Sequence, residues 1–140
     1  MMRAIALSTV LILLFSKSVM ASCSDQQQLG QVEYPSNSSY FNAQASNKLD
    51  EISKATHDKG NGYLVLEFNL FPVAADKKLQ QYNMWLANRR IERVKQYLAK
   101  SKLTTPIVTR IKTAAPMEQR QVDIVWCSLS GEAPQQVINH

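Results

Sequence analysis

The sequence predicts an α+β fold in which two helices pack on one face of a small mixed sheet, in the order β-α-β-α-β-β. Three observations predict it. Two segments repeat apolar residues every three or four positions, as amphipathic helices do. Four shorter segments alternate apolar and polar residues, as half-buried strands do. Because each helix must bury an apolar stripe, both helices are expected to share one face of the sheet.

The first half of the predicted fold contains a strand, a helix and the strongest strand of the chain. Residues 31–34 alternate like a short strand, which Pro35 ends. A helix is predicted from about residue 42 or 45 to residue 56. The next strand, residues 63–71, ends at Pro72. It places large apolar side chains at every second position, which are Leu64, Leu66, Phe68 and Leu70.

The second half contains the main helix and two further strands. The helix is predicted over residues 75–100, and Pro106 marks the turn that follows it. Residues 107–111 and residues 121–127 alternate as the third and fourth strands. These segments complete the predicted order.

The first 21 residues have the pattern of a signal peptide. Arg3 gives a positive start, and the apolar run over residues 4–15 is too short to span a bilayer as a stable anchor. The general signal peptidase is expected to cleave after Ala21, because it prefers small residues just before the cleavage site. Residues 20–23 can instead be read as a lipoprotein box, with Cys23 as the lipidated first residue. Under either reading the chain is exported to the periplasm, and the second also anchors it in the outer membrane.

Domain limits and charge narrow the classes of function. Residues 22–30 are predicted to be a flexible lead-in, 31–127 a single domain and 128–140 a loose C-terminal tail, with no transmembrane segment in the mature chain. The formal net charge is +5, and the leader carries part of it. The basic residues are spread out and no nucleic-acid motif surrounds them, so nucleic acid is not an expected partner.

Two cysteines remain after export. In an oxidising compartment Cys23 and Cys127 are expected to form a disulfide, worth about 4–5 kcal/mol in the chain-entropy model. If Cys23 is lipidated instead, Cys127 stays free. The two histidines, His57 and His140, are isolated and no Cys/His spacing fits a metal site, so neither a metal nor a cofactor is expected.

The main helix carries two polar residues along its apolar stripe. Asn83 and Arg90 point to the same side as the apolar residues, which are Leu79, Leu86, Val94, Tyr97 and Leu98. A buried arginine needs an anion or an acceptor, because an unpaired buried charge costs several kcal/mol or more. Arg90 therefore either pairs inside the protein or contacts a ligand.

This spacing resembles the C-terminal domain family of outer-membrane protein A, the OmpA-like domain that binds peptidoglycan. The family motif runs from an Asn through an Arg to a Tyr-Leu pair, with five or six identities in this chain. The residues at the motif positions are Asn83, Leu86, Ala87, Arg90, Ile91, Val94, Tyr97 and Leu98. Residues 120–124 resemble the last strand of the family. The resemblance covers about residues 31–127 and implies an OmpA-like sandwich.

The resemblance implies non-catalytic binding of the peptide stem of peptidoglycan. In the family, a strand-end Asp binds the ammonium of diaminopimelate, and the helix Arg, here Arg90, binds the carboxylate. One alignment places Leu70 at the Asp position, and another places Asp76 there. Asp76 serves as a ligand or caps the helix. The implied ligand-binding residues are Arg90, Asn83 and Asp76, and a second strand Arg of the family is replaced by Gln121.

Two functions follow from these residues. The first is an envelope module that binds peptidoglycan and links it to another envelope component. The second is an OmpA-like scaffold that has lost its ligand and serves as a protein-interaction subunit, because residues 71–73 are apolar and lie near Met84 and Trp85. An enzyme is not expected, since no Ser-His, Cys-His or close acid pair is recognisable.

Overall fold

The computed structural model describes residue 23 and residues 25–129. The described residues form a four-stranded mixed sheet and two helices, which confirms the predicted α+β class and element order. In chain order the elements are β1 (Asp25–Glu33), α1 (Ala43–His57), β2 (Gly62–Asn69), α2 (Lys77–Lys100), β3 (Ile107–Lys112) and β4 (Gln121–Ser128). The strand order across the sheet is β1-β4-β2-β3.

The central strands of the sheet are β4 and β2. β4 lies antiparallel to both of its neighbours, with Asp25 opposite Ser128 at one end of the β1 pair. β2 and β3 are parallel, and the chain between them contains α2, as a parallel crossover requires. This topology brings the carboxyl end of β2, the amino end of α2 and the segment before β4 to the same end of the sheet.

Both helices pack on the same face of the sheet, as predicted. The buried residues of α1 and α2 form one core cluster with alternate residues of the strands, which therefore share a face. The fully buried members of this core include Leu49 of α1, Val94 and Leu98 of α2, and Leu64, Leu66, Val122 and Ile124 of the sheet. No helix among the described residues is long and apolar enough to cross a membrane.

The first strand is longer than the sequence predicts. β1 begins at Asp25, so the prediction of a flexible lead-in over residues 22–30 is wrong for most of that range. β1 is an edge strand whose first four side chains are exposed, so its strand character comes from backbone pairing with β4 and not from apolar alternation. A bulge between Gln28 and Gly30 further interrupts the alternation. The signal peptide, and the tail beyond Leu129, lie outside the described residues.

A disulfide joins Cys23 to Cys127. Their Cα atoms are 5.4 Å apart and the two residues are separated by 104 positions in the sequence. The bond lies where the start of β1 meets the end of β4, since Gln26 pairs with Cys127 in the sheet. It therefore fixes the beginning of the edge strand to a central strand.

Candidate functional site: a charged pocket beside helix α2

Arg90 lies on the buried side of α2. Only 3% of its surface is exposed, and the helix residues around it, among them Leu86, Ala87, Ile91 and Val94, are also buried. The loop that joins β1 to α1, residues 34–42, passes over this part of the helix. Arg90 is therefore a cation inside the apolar stripe, and its partners decide what it does.

The guanidinium of Arg90 binds two backbone carbonyls of the β1–α1 loop. Its Nε donates to the oxygen of Ser38 at 2.9 Å, and Nη2 donates to the oxygen of Pro35 at 3.1 Å. The guanidinium carbon also lies 5.1 Å from the ring centroid of Tyr34 and 5.7 Å from that of Phe68. Two of the five N–H groups are used in this way among the described residues, and Arg90 also lines a pocket beside the helix.

Tyr34 completes the attachment of the loop to the helix. Its hydroxyl donates to the backbone oxygen of Arg90 at 2.9 Å, and the ring is 4% exposed. Burial raises the pKa of Tyr34, whereas burial is the main cause of a lowered pKa for Arg90. Among the nearby charges, Arg120 lowers the pKa of Arg90 further and Glu118 raises it. Arg90 thus sits within electrostatic reach of two charged residues from the segment before β4.

A second arginine holds the same loop from the next turn of α2. Arg93 donates from Nε to the hydroxyl oxygen of Ser39 at 2.9 Å, and its guanidinium carbon lies 3.6 Å from the ring centroid of Tyr40. Within the loop, Asn37 has a φ of 53°, a left-handed conformation that asparagine tolerates better than most residues. The two arginines fix the loop over α2 and make it one wall of a pocket.

The pocket has a volume of about 330 Å³, at the lower end of the range for small-ligand sites. Four segments form its walls: the β1–α1 loop, the end of β2, the first half of α2, and the residues before β4. They contribute Ser36 and Asn37; Phe68, Leu70, Phe71 and Val73; Leu79, Asn83, Leu86 and Arg90; and Glu118, Gln119 and Arg120. The lining is mixed: the end of β2 contributes apolar side chains, whereas the β1–α1 loop and the residues before β4 contribute polar ones.

Three charged side chains line the pocket. Arg90 is buried, whereas Glu118 and Arg120 are exposed. Among the described residues, the ion pairs are Lys48 with Glu51, and Glu67 with both Arg110 and Lys112. Neither the Glu118 nor the Arg120 side chain forms a hydrogen bond or ion pair with another described residue. Both charges are therefore available to a molecule in the pocket.

The structure brings together two of the three site residues that the sequence indicates. Asn83 and Arg90 line the same pocket, two helical turns apart. Asp76 is not among the lining residues. It is the N-cap of α2, where its Oδ1 accepts from the backbone nitrogen of Leu79 at 3.0 Å. Leu70, the other residue aligned with the strand-end Asp, is buried in the pocket wall.

Sequence reasoning misses Glu118, the carboxylate among the lining residues that the structure describes. The segment between β3 and β4, residues 113–120, has no periodicity, so nothing in the pattern places it near α2. The one sequence feature that could have indicated Glu118 is the neighbouring Arg120, which directly precedes a strand that resembles the last strand of the OmpA-like family.

An exposed apolar surface adjoins the pocket. Phe71 is 40% exposed, Leu79 42%, Tyr82 38% and Trp85 54%. The rings of Tyr82 and Trp85 stack with centroids 5.8 Å apart and an interplanar angle of 29°. Since Phe71 and Leu79 also line the pocket, these four residues, called the aromatic surface below, extend from the pocket mouth along α2.

One solved structure establishes the fold by comparison. The crystal structure of the peptidoglycan-associated lipoprotein from Burkholderia pseudomallei superimposes with a TM-score of 0.56, covering 71% of this chain and 90% of that chain. The two proteins share a fold. Their sequences are 14% identical, so the likeness extends to the fold alone. No protein-family model matches the chain, and no curated protein matches its sequence.

Proposed function

We propose that this chain is an exported, non-catalytic domain of the cell envelope that binds peptidoglycan through the pocket beside α2. The observation that carries this proposal is the position of Asn83 and Arg90. These residues match the polar positions of the OmpA-like helix motif, and both line one pocket. The fold shared with a peptidoglycan-associated lipoprotein supports the same assignment.

The proposed ligand is the peptide stem, whose carboxylates suit the groups of the pocket. Arg90 lines the pocket and has N–H groups beyond the two bound to the loop, and a guanidinium makes strong charge-assisted hydrogen bonds to a carboxylate. Asn83 adds an amide that both donates and accepts. Because the carbonyls of Pro35 and Ser38 already fix the guanidinium, little side-chain entropy is lost on binding.

The proposed location is the periplasm, reached through a signal peptide over residues 1–21. Cys23 is in a disulfide, and a lipid on its sulfur is incompatible with that bond. Mass spectrometry of the mature protein separates the two states. A disulfide predicts a mass two hydrogens below that of the reduced chain cleaved after Ala21, whereas lipidation adds an acylated glycerol and leaves Cys127 free.

Sedimentation with purified sacculi tests the binding proposal. The wild-type chain should pellet with the sacculi, and Asn83→Ala should shift protein to the supernatant because a pocket amide is removed. Arg89→Gln is the matched control, since Arg89 is exposed on the same helix and does not line the pocket. If the wild-type chain stays in the supernatant, the proposal is overturned.

The aromatic surface favours a second candidate, a protein-interaction subunit of an envelope assembly. A stacked Tyr82–Trp85 pair beside two further exposed apolar residues is the kind of patch that protein interfaces cover. A photo-crosslinking residue at position 85 tests this in cells. One discrete adduct, absent when the probe is moved to position 96 on the exposed polar part of α2, supports the second candidate. The same adduct pattern at both positions contradicts it.

A further inference from the structure

The segment before β4 is held against the pocket at both ends. The backbone nitrogen of Ala115 donates to the oxygen of Leu70 at 3.2 Å, which attaches the segment to the end of β2. At the other end, the backbone nitrogen of Tyr34 donates to the oxygen of Arg120 at 2.9 Å. Glu118 lies between these two attachments, so its position beside the pocket is set by the sheet.

Glu118 is also the acid that remains for a pocket ligand. Leu70 is apolar, and Asp76 is already used to cap α2. Among the described lining residues Glu118 alone carries a carboxylate. It forms no ion pair with Arg90 or Arg120, and its oxygens lie more than 4.0 Å from their guanidinium nitrogens.

The charges of the pocket are thus separated without being paired. Two arginines and one glutamate line a pocket of about 330 Å³, which is small enough for one ligand to reach both signs. A simple cation is repelled by the arginines, and a simple anion is repelled by Glu118. A group that carries an ammonium and a carboxylate on the same carbon satisfies both signs.

We infer that Glu118 binds the ammonium, and Arg120 together with Arg90 the carboxylate, of a zwitterionic amino-acid end, so that the pocket selects this end over a plain carboxylate. The inference rests on the proposed function and deepens it. It moves the acidic half of the site from the end of β2 to the segment before β4. It also implies that acylation of the amine, which removes the ammonium, weakens binding.

Calorimetric titration of the exported, oxidised chain tests the inference. The probes are meso-diaminopimelate and pimelate, which share a carbon chain and two carboxylates and differ in the two amino groups. Wild type should bind meso-diaminopimelate more tightly. Glu118→Gln should weaken that binding on the order of tenfold to a hundredfold and leave pimelate binding unchanged, because one charge-assisted bond is lost. Arg120→Gln should weaken binding of both probes.

Controls separate this inference from the proposed function. Glu92→Gln, on the exposed side of α2 outside the pocket, should bind both probes like wild type. If wild type sediments with sacculi but does not prefer meso-diaminopimelate, or if Glu118→Gln matches wild type, the inference is overturned and the proposed function stands. If wild type neither sediments nor binds either probe, both are overturned.

Discussion

Replacement of Arg90 by methionine should destabilise the fold, whatever the ligand is. Methionine keeps a long, flexible side chain in the stripe but removes every donor. The carbonyls of Pro35 and Ser38 then lose hydrogen bonds from a cation, each worth about 1.5–3 kcal/mol. Refilling of the site by the apolar side chain offsets part of this loss. We expect a decrease of about 2–4 kcal/mol in the free energy of unfolding.

This decrease is large beside the total stability of a typical domain, which is about 5–15 kcal/mol. Urea unfolding at pH 7, followed by far-ultraviolet circular dichroism, measures it through the shift of the midpoint at unchanged slope. Arg89→Met is the matched control, because Arg89 is the exposed neighbour and should change stability by no more than about 0.5 kcal/mol. A loss below about 1 kcal/mol for Arg90→Met would refute the role of Arg90 in holding the loop.

Three further predictions concern the fold. Reduction of the Cys23–Cys127 disulfide should lower the free energy of unfolding by about 4–5 kcal/mol, as measured by urea midpoints with and without reductant. Gly62→Ala should destabilise the chain strongly, since a Cβ at this position would lie 2.5 Å from the oxygen of Cys127 and would also overlap the ring of Trp126; thermal unfolding measures this. Because burial raises the pKa of Tyr34, its neutral form stabilises the fold fully below pH 10.0, the ordinary pKa, and this contribution is lost as the pH rises further.

Each of these predictions has a control. A Cys23→Ser, Cys127→Ala double variant should not respond to reductant, and equal midpoints for oxidised and reduced wild type would contradict the first. Gly60→Ala meets no neighbouring atom but has a φ of 79°, so its loss should stay near 1 kcal/mol; an equal loss at Gly62 would contradict the second. Tyr34→Phe should flatten the decline of stability above pH 10, and an unchanged decline would contradict the third.

The parts of the fold that the sequence predicts are those with strong periodicity. α2 and β2 bury wide apolar faces, so their patterns persist over several turns or alternations. The sequence pattern does not predict the first six residues of β1. This edge strand is held by backbone hydrogen bonds, which leave no apolar alternation in the sequence. For the same reason the sequence indicates that Arg90 faces inward and does not reveal its partners, which are main-chain carbonyls.

The residues of the candidate site also differ in whether local sequence pattern can predict them. Asn83 and Arg90 share one helix, so their common direction follows from helical geometry. Glu118 reaches the pocket only because Ala115 and Arg120 bond to other parts of the sheet, and such contacts between distant segments cannot be read from local pattern. Asp76 differs from Glu118, because its role as helix cap depends on a local contact with Leu79 and needs no ligand.

The Cys23–Cys127 disulfide has a mechanical consequence. β1 and β4 run antiparallel with the start of β1 beside the end of β4, so tension that enters the chain at residue 23 pulls along the unzipping direction of this strand pair. In that geometry hydrogen bonds break one at a time, at low force. The disulfide transfers the load directly to β4, which neighbours on both sides hold in the sheet. When the domain is pulled from its amino end, the central strand β4 therefore carries the load, and the edge strand β1 is not separated from the sheet first.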